Sequence, residues 1–179
     1  ASGKGSIPTF VQKINSLLNN NQVDSAIAEC DKQKGSVANV IREGLNKYKE
    51  MSVKAGLDKD QKVIAIQKEI EEATSLELPM LEKNLVILAT ISSVATLLGL
   101  LGTVFGMIRA FSAIATAGAP DAVALSTGIS EALINTALGI STSATAIIFY
   151  NYFTTKIDGL TYGIDEAGFS ISQTFAAKH

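Results

Sequence analysis

Glu131 is the only carboxylate in Ala122–Thr155, AVALSTGISEALINTALGISTSATAIIFYNYFTT, and no charged residue follows it until Lys156. As a helix, the uncharged run behind it is about 36 Å long, against roughly 30 Å of bilayer hydrocarbon. Counted from Asp121, a good N-cap residue after Pro120, Glu131 lies about 15 Å into such a helix, near the bilayer centre. An ionisable group at that depth is costly. It must face protein or water, and it is a functional candidate by default. A carboxylate so placed can pass a proton, or bind a cation and release it. On an ideal helix Thr127, Asn135, Leu138, Thr142, Thr145 and Phe149 fall within about 40° of it. That stripe is poor for lipid and suits a bundle interior or a wet pore. The plainer alternative is a neutral Glu hydrogen-bonded across a helix interface without transport. Thr136 projects about 140° around from Glu131 and is expected to bond to a neighbouring helix.

These residues need a second helix beside them. Residues 84–108, NLVILATISSVATLLGLLGTVFGMI, carry no charge and are about 37 Å long as a helix. Ser92, Thr96, Gly99, Thr103, Gly106 and Ala110 share one stripe. Small and hydroxyl residues there let backbones approach closely. The opposite face is Leu, Ile and Val, suited to lipid. Arg109–Asp121, ending in AGAPD, reads as the turn between two spans, with Arg109 near a helix end where it can snorkel. The basic residues before Lys83 and after Thr155 place both flanks on the cytoplasmic side and the turn outside.

Most of the remaining charge lies in residues 1–83, in near-equal numbers of either sign. Ala1–Ile7 is a Gly/Ser-rich lead-in whose GKGS lacks phosphate-loop spacing. Helical apolar spacing follows over Phe10–Leu18, Val23–Cys30 and Val37–Tyr48, with Ser36 a cap for the third run and Gly56 its stop. Asp58 can cap a fourth helix through Val63, Ile66 and Ile70, which Pro79 should kink or end. Glu69, Glu71, Glu72 and Glu77 read as a solvated face, since no His accompanies them. Cys30 reads as a small apolar helix residue. No metal or cofactor is expected, no basic–aromatic pattern supports nucleic acid, and no nucleophile–base pair supports an enzyme. The tail after Lys156 reads as a continued, then fraying helix without assigned function.

GLLGTVFGMIRAF (Gly99–Phe111) followed by GISEALINTALGISTSATAIIFYNYF (Gly128–Phe153) resembles the MotA/TolQ/ExbB proton-channel family, closest to its ExbB and TolQ branch. The resemblance implies a subunit of an inner-membrane motor that couples the proton-motive force to outer-membrane processes, TonB-dependent uptake foremost. It implies a homopentameric ring around single-span ExbD- or TolR-like subunits, acting with a TonB-like protein. It carries the family's acidic residue onto Glu131 and its two threonines onto Thr103 and Thr136. The branch has three spans, the first before a cytoplasmic insert. This chain shows two, so either an upstream span lies outside the sequence or the member is unusual.

The expectation is therefore an all-α membrane protein with long transmembrane helices and a cytoplasmic helical bundle. Residues 1–83 form the cytoplasmic helical region, 84–115 a span, 116–121 a short periplasmic turn, 122–156 the span carrying Glu131, and 157–179 a cytoplasmic tail. Ion translocation falls to Glu131, Thr103, Thr136 and Thr127. Helix packing and pore lining fall to Gly99, Gly102, Gly106, Asn135, Gly139 and Thr142. A non-conducting scaffold that anchors a cytosolic bundle, or a Na⁺-driven stator-type motor, are the alternatives.

Overall fold

The computed structural model describes residue 3 and residues 5–117 and 122–178, and every regular element among them is an α-helix. The chain divides into two compact units: Ala1–Lys83 with Thr155–His179, and Asn84–Thr154.

In the first unit, α1 (Ile7–Asn19), α2 (Val23–Gln33), α3 (Ser36–Val53) and α4 (Lys59–Glu82) follow the apolar spacing of the sequence. Pro8 opens α1, where its missing N–H removes no helical bond. Ser36 is not the cap of α3. It is the first helical residue and is buried, while Gly35 takes the N-cap position at φ 93°. That left-handed backbone is one glycine adopts without strain, so the chain turns there without a side-chain cap. Asp58 does cap α4: its carboxylate accepts from the Lys59 N–H at 2.7 Å, and Gln61 reaches back to the Asp58 N–H at 3.1 Å. Pro79 sits inside α4, which ends three residues later at Glu82. Of the acidic run, Glu77 accepts from Asn39 at 2.9 Å, and Glu69 and Glu72 stand 3.6 Å from Lys47 and Lys68.

The tail does not fray. α6 (Ala122–Lys178) stays helical to its last described residue. Leu160, Ile164, Ala167, Ile171 and Phe175 recur at helical spacing and are buried in one core with Phe10, Ile14, Leu18, Val40, Ile41, Leu45 and Ile66. A helix that buries five apolar residues is held by packing rather than by propensity. Ile70 seats against glycine: a Cβ on Gly44 would lie 2.7 Å from Ile70 Cγ1, and one on Gly168 3.2 Å from its Cγ2. Lys178 donates to the Leu18 and Asn19 carbonyls at 2.6 and 3.1 Å and to Asn21 Oδ1 at 2.6 Å. It thereby gives the Asn19 carbonyl at the end of α1 a partner and joins the Asn21 N–H on that of Leu18.

The second unit is a hairpin of α5 (Leu85–Ala117) and the first part of α6. Both helices are long and apolar enough to cross a membrane. Leu97, Leu98, Leu101, Val104, Phe105 and Ile108 on α5 point outward, as do Leu133, Ile134, Ile140 and Ile148 on α6. A surface of this kind belongs in hydrocarbon. α5 continues well past Arg109, because Ala110–Ala117 contains neither Gly nor Pro. The expected Asp121 cap and the turn residues 118–121 lie outside the described residues.

Candidate functional site: a carboxylate beside a glycine seam

Small residues bring the two helices of the hairpin together. A Cβ on Gly99 would lie 3.0 Å from Gly139 Cα, one on Gly106 2.9 Å from Ala132 Cβ, and one on Gly128 2.7 Å from Ala110 Cβ. Gly99, Gly106, Ala110, Gly128, Ala132 and Gly139 are all buried. Apolar attraction between helices is weak in lipid, so contact at this range rests on dispersion and interhelical hydrogen bonds. Asn135 fills the space that Gly102 leaves and donates to the Gly102 carbonyl at 3.4 Å. The Ser143 hydroxyl donates to the Ser92 carbonyl.

Glu131 stands just beside this seam, not within it. Arg109 Nη1 donates to Glu131 Oε2 at 3.3 Å across the hairpin. The two side chains remain 74% and 49% exposed in the single chain. Glu131 lies nine residues into α6 and Arg109 eight residues before the end of α5, roughly 13 Å from the helix ends at the turn. The expectation that Arg109 sits at a helix end and snorkels is thereby corrected: α5 carries it deeper, and its guanidinium finds the carboxylate instead.

The predicted hydroxyls do not reach Glu131. Thr127 is exposed and donates to the Val123 carbonyl at 2.9 Å. Thr142, also exposed, donates to Leu138 at 2.8 Å. Thr103 is half-buried and donates to Leu100 at 2.5 Å. Thr136 is half-buried too, but it bonds to Ala132 of its own helix at 3.4 Å rather than to a neighbouring helix. A hydroxyl bonded this way satisfies its proton in lipid and keeps lone pairs available. Sequence reasoning placed Gly99, Gly102, Gly106, Asn135 and Gly139 at helix contacts, and each meets the opposing helix. It overlooked Gly128 and Ala132, whose spacing with Gly139 on α6 was the available signal. It also overlooked the pairing of Arg109 with Glu131, which spacing within one helix does not reveal.

The sequence matches the MotA/TolQ/ExbB proton channel family over residues 32–166. It is 32% identical to the Tol-Pal system protein TolQ of Pseudomonas aeruginosa over 69% of this chain and 54% of that protein. It is 40% identical to a putative biopolymer transport protein, ExbB-like 3, of Synechocystis over 47% of this chain and 41% of the relative. Against the biopolymer transport protein ExbB of Pseudomonas putida the figures are 38% identity, 45% and 25%. The chain thus spans about half the length, or less, of these relatives.

Proposed function

We infer the function of this chain from the MotA/TolQ/ExbB proton channel family, to which it belongs. It is a membrane subunit of a proton-driven motor of the ExbB/TolQ kind, and it couples the proton-motive force to an outer-membrane process. The observation that supports this best is the placement of Glu131: a carboxylate partway into an apolar hairpin, beside a close-packed seam, with its charge matched by Arg109. A lipid-facing structural helix has no use for such a group.

In this reading several copies, five by family resemblance, form a ring around single-span ExbD- or TolR-like partners in the bacterial inner membrane. Residues 1–83 and the tail are cytoplasmic, and residues 116–121 lie on the periplasmic side. Partner helices carry a proton from outside, Glu131 serves as relay or counter-charge, and Thr103, Thr127 and Thr136 supply hydroxyls along the path. A proton crossing inward releases about 2.3 kcal/mol per 100 mV and about 1.4 kcal/mol per pH unit. Several protons therefore suffice to rotate a partner helix against the ring.

Glu131→Gln keeps the shape and removes the ionisation. Co-expressed with its single-span partner, this variant should assemble normally and lose proton-driven transport. Wild-type transport by Glu131→Gln would leave only a scaffold, and transport that follows sodium rather than pH would make it a Na⁺ motor. Relatives named ExbB and TolQ both occur, so rescue of strains lacking one or the other system assigns the process: TonB-dependent uptake with a TonB-like partner, or Tol-Pal function.

A further inference from the structure

We propose that Arg109 is the positioning residue of Glu131, holding the carboxylate along the flank of the hairpin through an ion pair that crosses from α5 to α6. This deepens the reading of Glu131 as the proton-handling group and rests on it. The seam fixes the geometry. Ala110, next to Arg109, packs on Gly128, and Ala132, next to Glu131, packs on Gly106. These two contacts bracket the pair, so backbone register sets the positions from which Arg109 Nη1 reaches the carboxylate at 3.3 Å.

Among the described residues of the hairpin no other charged side chain competes. Between residues 84 and 155 the sequence carries Arg109, Glu131 and Asp121 alone, and Asp121 lies outside the described residues. The nearest titratable groups further along α6, Tyr150 and Tyr152, are roughly 28 Å or more beyond Glu131. Both members of the pair are open to whatever surrounds the hairpin. At a surface in water such a pair would be screened and worth little. Beside hydrocarbon or a second protein helix, each charge alone is expensive and the two together are tolerated. The pair therefore ties the proton-handling carboxylate of α6 to a side chain of α5.

The test uses the purified full chain and dicyclohexylcarbodiimide, which attacks the protonated acid in apolar surroundings, with label at Glu131 read by mass spectrometry across a pH series. Without the neighbouring cation the carboxylate is no longer held in place. Arg109→Gln should therefore raise labelling at neutral pH several-fold, while Arg109→Lys stays near wild type. Equal labelling in Arg109→Gln and wild type overturns the proposal. Should Arg109→Gln accumulate poorly, the exchange Arg109→Glu with Glu131→Arg should recover the folded protein that each single change loses, and failure to recover it also overturns the proposal. The two readings separate cleanly. Unchanged labelling with transport lost in Glu131→Gln removes Arg109 alone. Changed labelling with transport kept in Glu131→Gln preserves the pair and removes the proton role.

Discussion

The rings of Tyr48 and Phe175 meet edge to face, with centroids 5.0 Å apart and planes at 87°. One ring comes from α3 and the other from the far end of α6, and both are buried. The contact joins a helix that precedes both apolar spans in sequence to one that follows them.

Phe175→Ala should destabilise this unit by about 3–5 kcal/mol, the usual loss for truncating a fully buried aromatic. Thermal unfolding of the detergent-solubilised full chain, followed by tyrosine signal, checks it. Phe175→Leu keeps most of the volume and should lose clearly less. A tail that merely frays would show no effect from either change.

Cys30 gives a pH prediction. Burial pushes its thiol up to about 12, with Asp31 adding to the shift. The unfolded chain sheds this proton near 9.0 while the folded chain keeps it. Stability from this group is thus complete below pH 9 and is lost as pH rises from about 9 to about 12. Thiol reagents at pH 8 should leave Cys30 untouched in the folded protein and modify it once denaturant is added. Rapid reaction without denaturant would mean that the helix pair around it opens.

Most of the architecture was legible in the sequence because it is written in short periods. The 3.6-residue apolar spacing marked α1 to α4, and the near-absence of charge marked the two spans. Glu131 stood out because a carboxylate in such a run is costly in lipid and must face protein or water. What stayed hidden depends on which elements meet. The tail carries Gly159, Gly163 and Gly168 and looked weak as a helix, yet Ile164, Ile171 and Phe175 find a core built by residues roughly ninety or more positions earlier. Arg109 looked like a snorkelling end residue because the sequence does not state how far α5 runs or which residue of α6 lies across from it.

Ser172 is 3% exposed, and among the described residues its hydroxyl has no hydrogen-bond partner. A buried hydroxyl left without a partner has lost water and gained nothing in return. Ser172→Ala should therefore stabilise the protein, by about 1 kcal/mol, seen as a rise in the unfolding midpoint of the full chain. A lower midpoint would mean that the hydroxyl is engaged by a group that the isolated chain does not supply.

Gly139 allows the seam to be separated from the ion pair. A Cβ on Gly139 would lie 2.8 Å from both the Ala95 carbonyl oxygen and Gly99 Cα, which are backbone atoms that cannot step aside. A Cβ on Gly159, further along the same helix, meets nothing within 4 Å. Gly139→Ala should therefore force the helices apart, while Gly159→Ala should leave them in place. A disulfide between Cys residues placed at Ala95 and Ser143, in a background with Cys30→Ala, would report the spacing. Its yield should fall sharply with Gly139→Ala and stay near the parent with Gly159→Ala. Gly139 lies two turns from Glu131 on the same helix, so loss of transport in Gly139→Ala would show that the carboxylate needs the helix register and not only its own ionisation. Equal disulfide yields in the two variants would mean that the helices adjust independently of these contacts, and the register argument for the Arg109–Glu131 pair would then lose its footing.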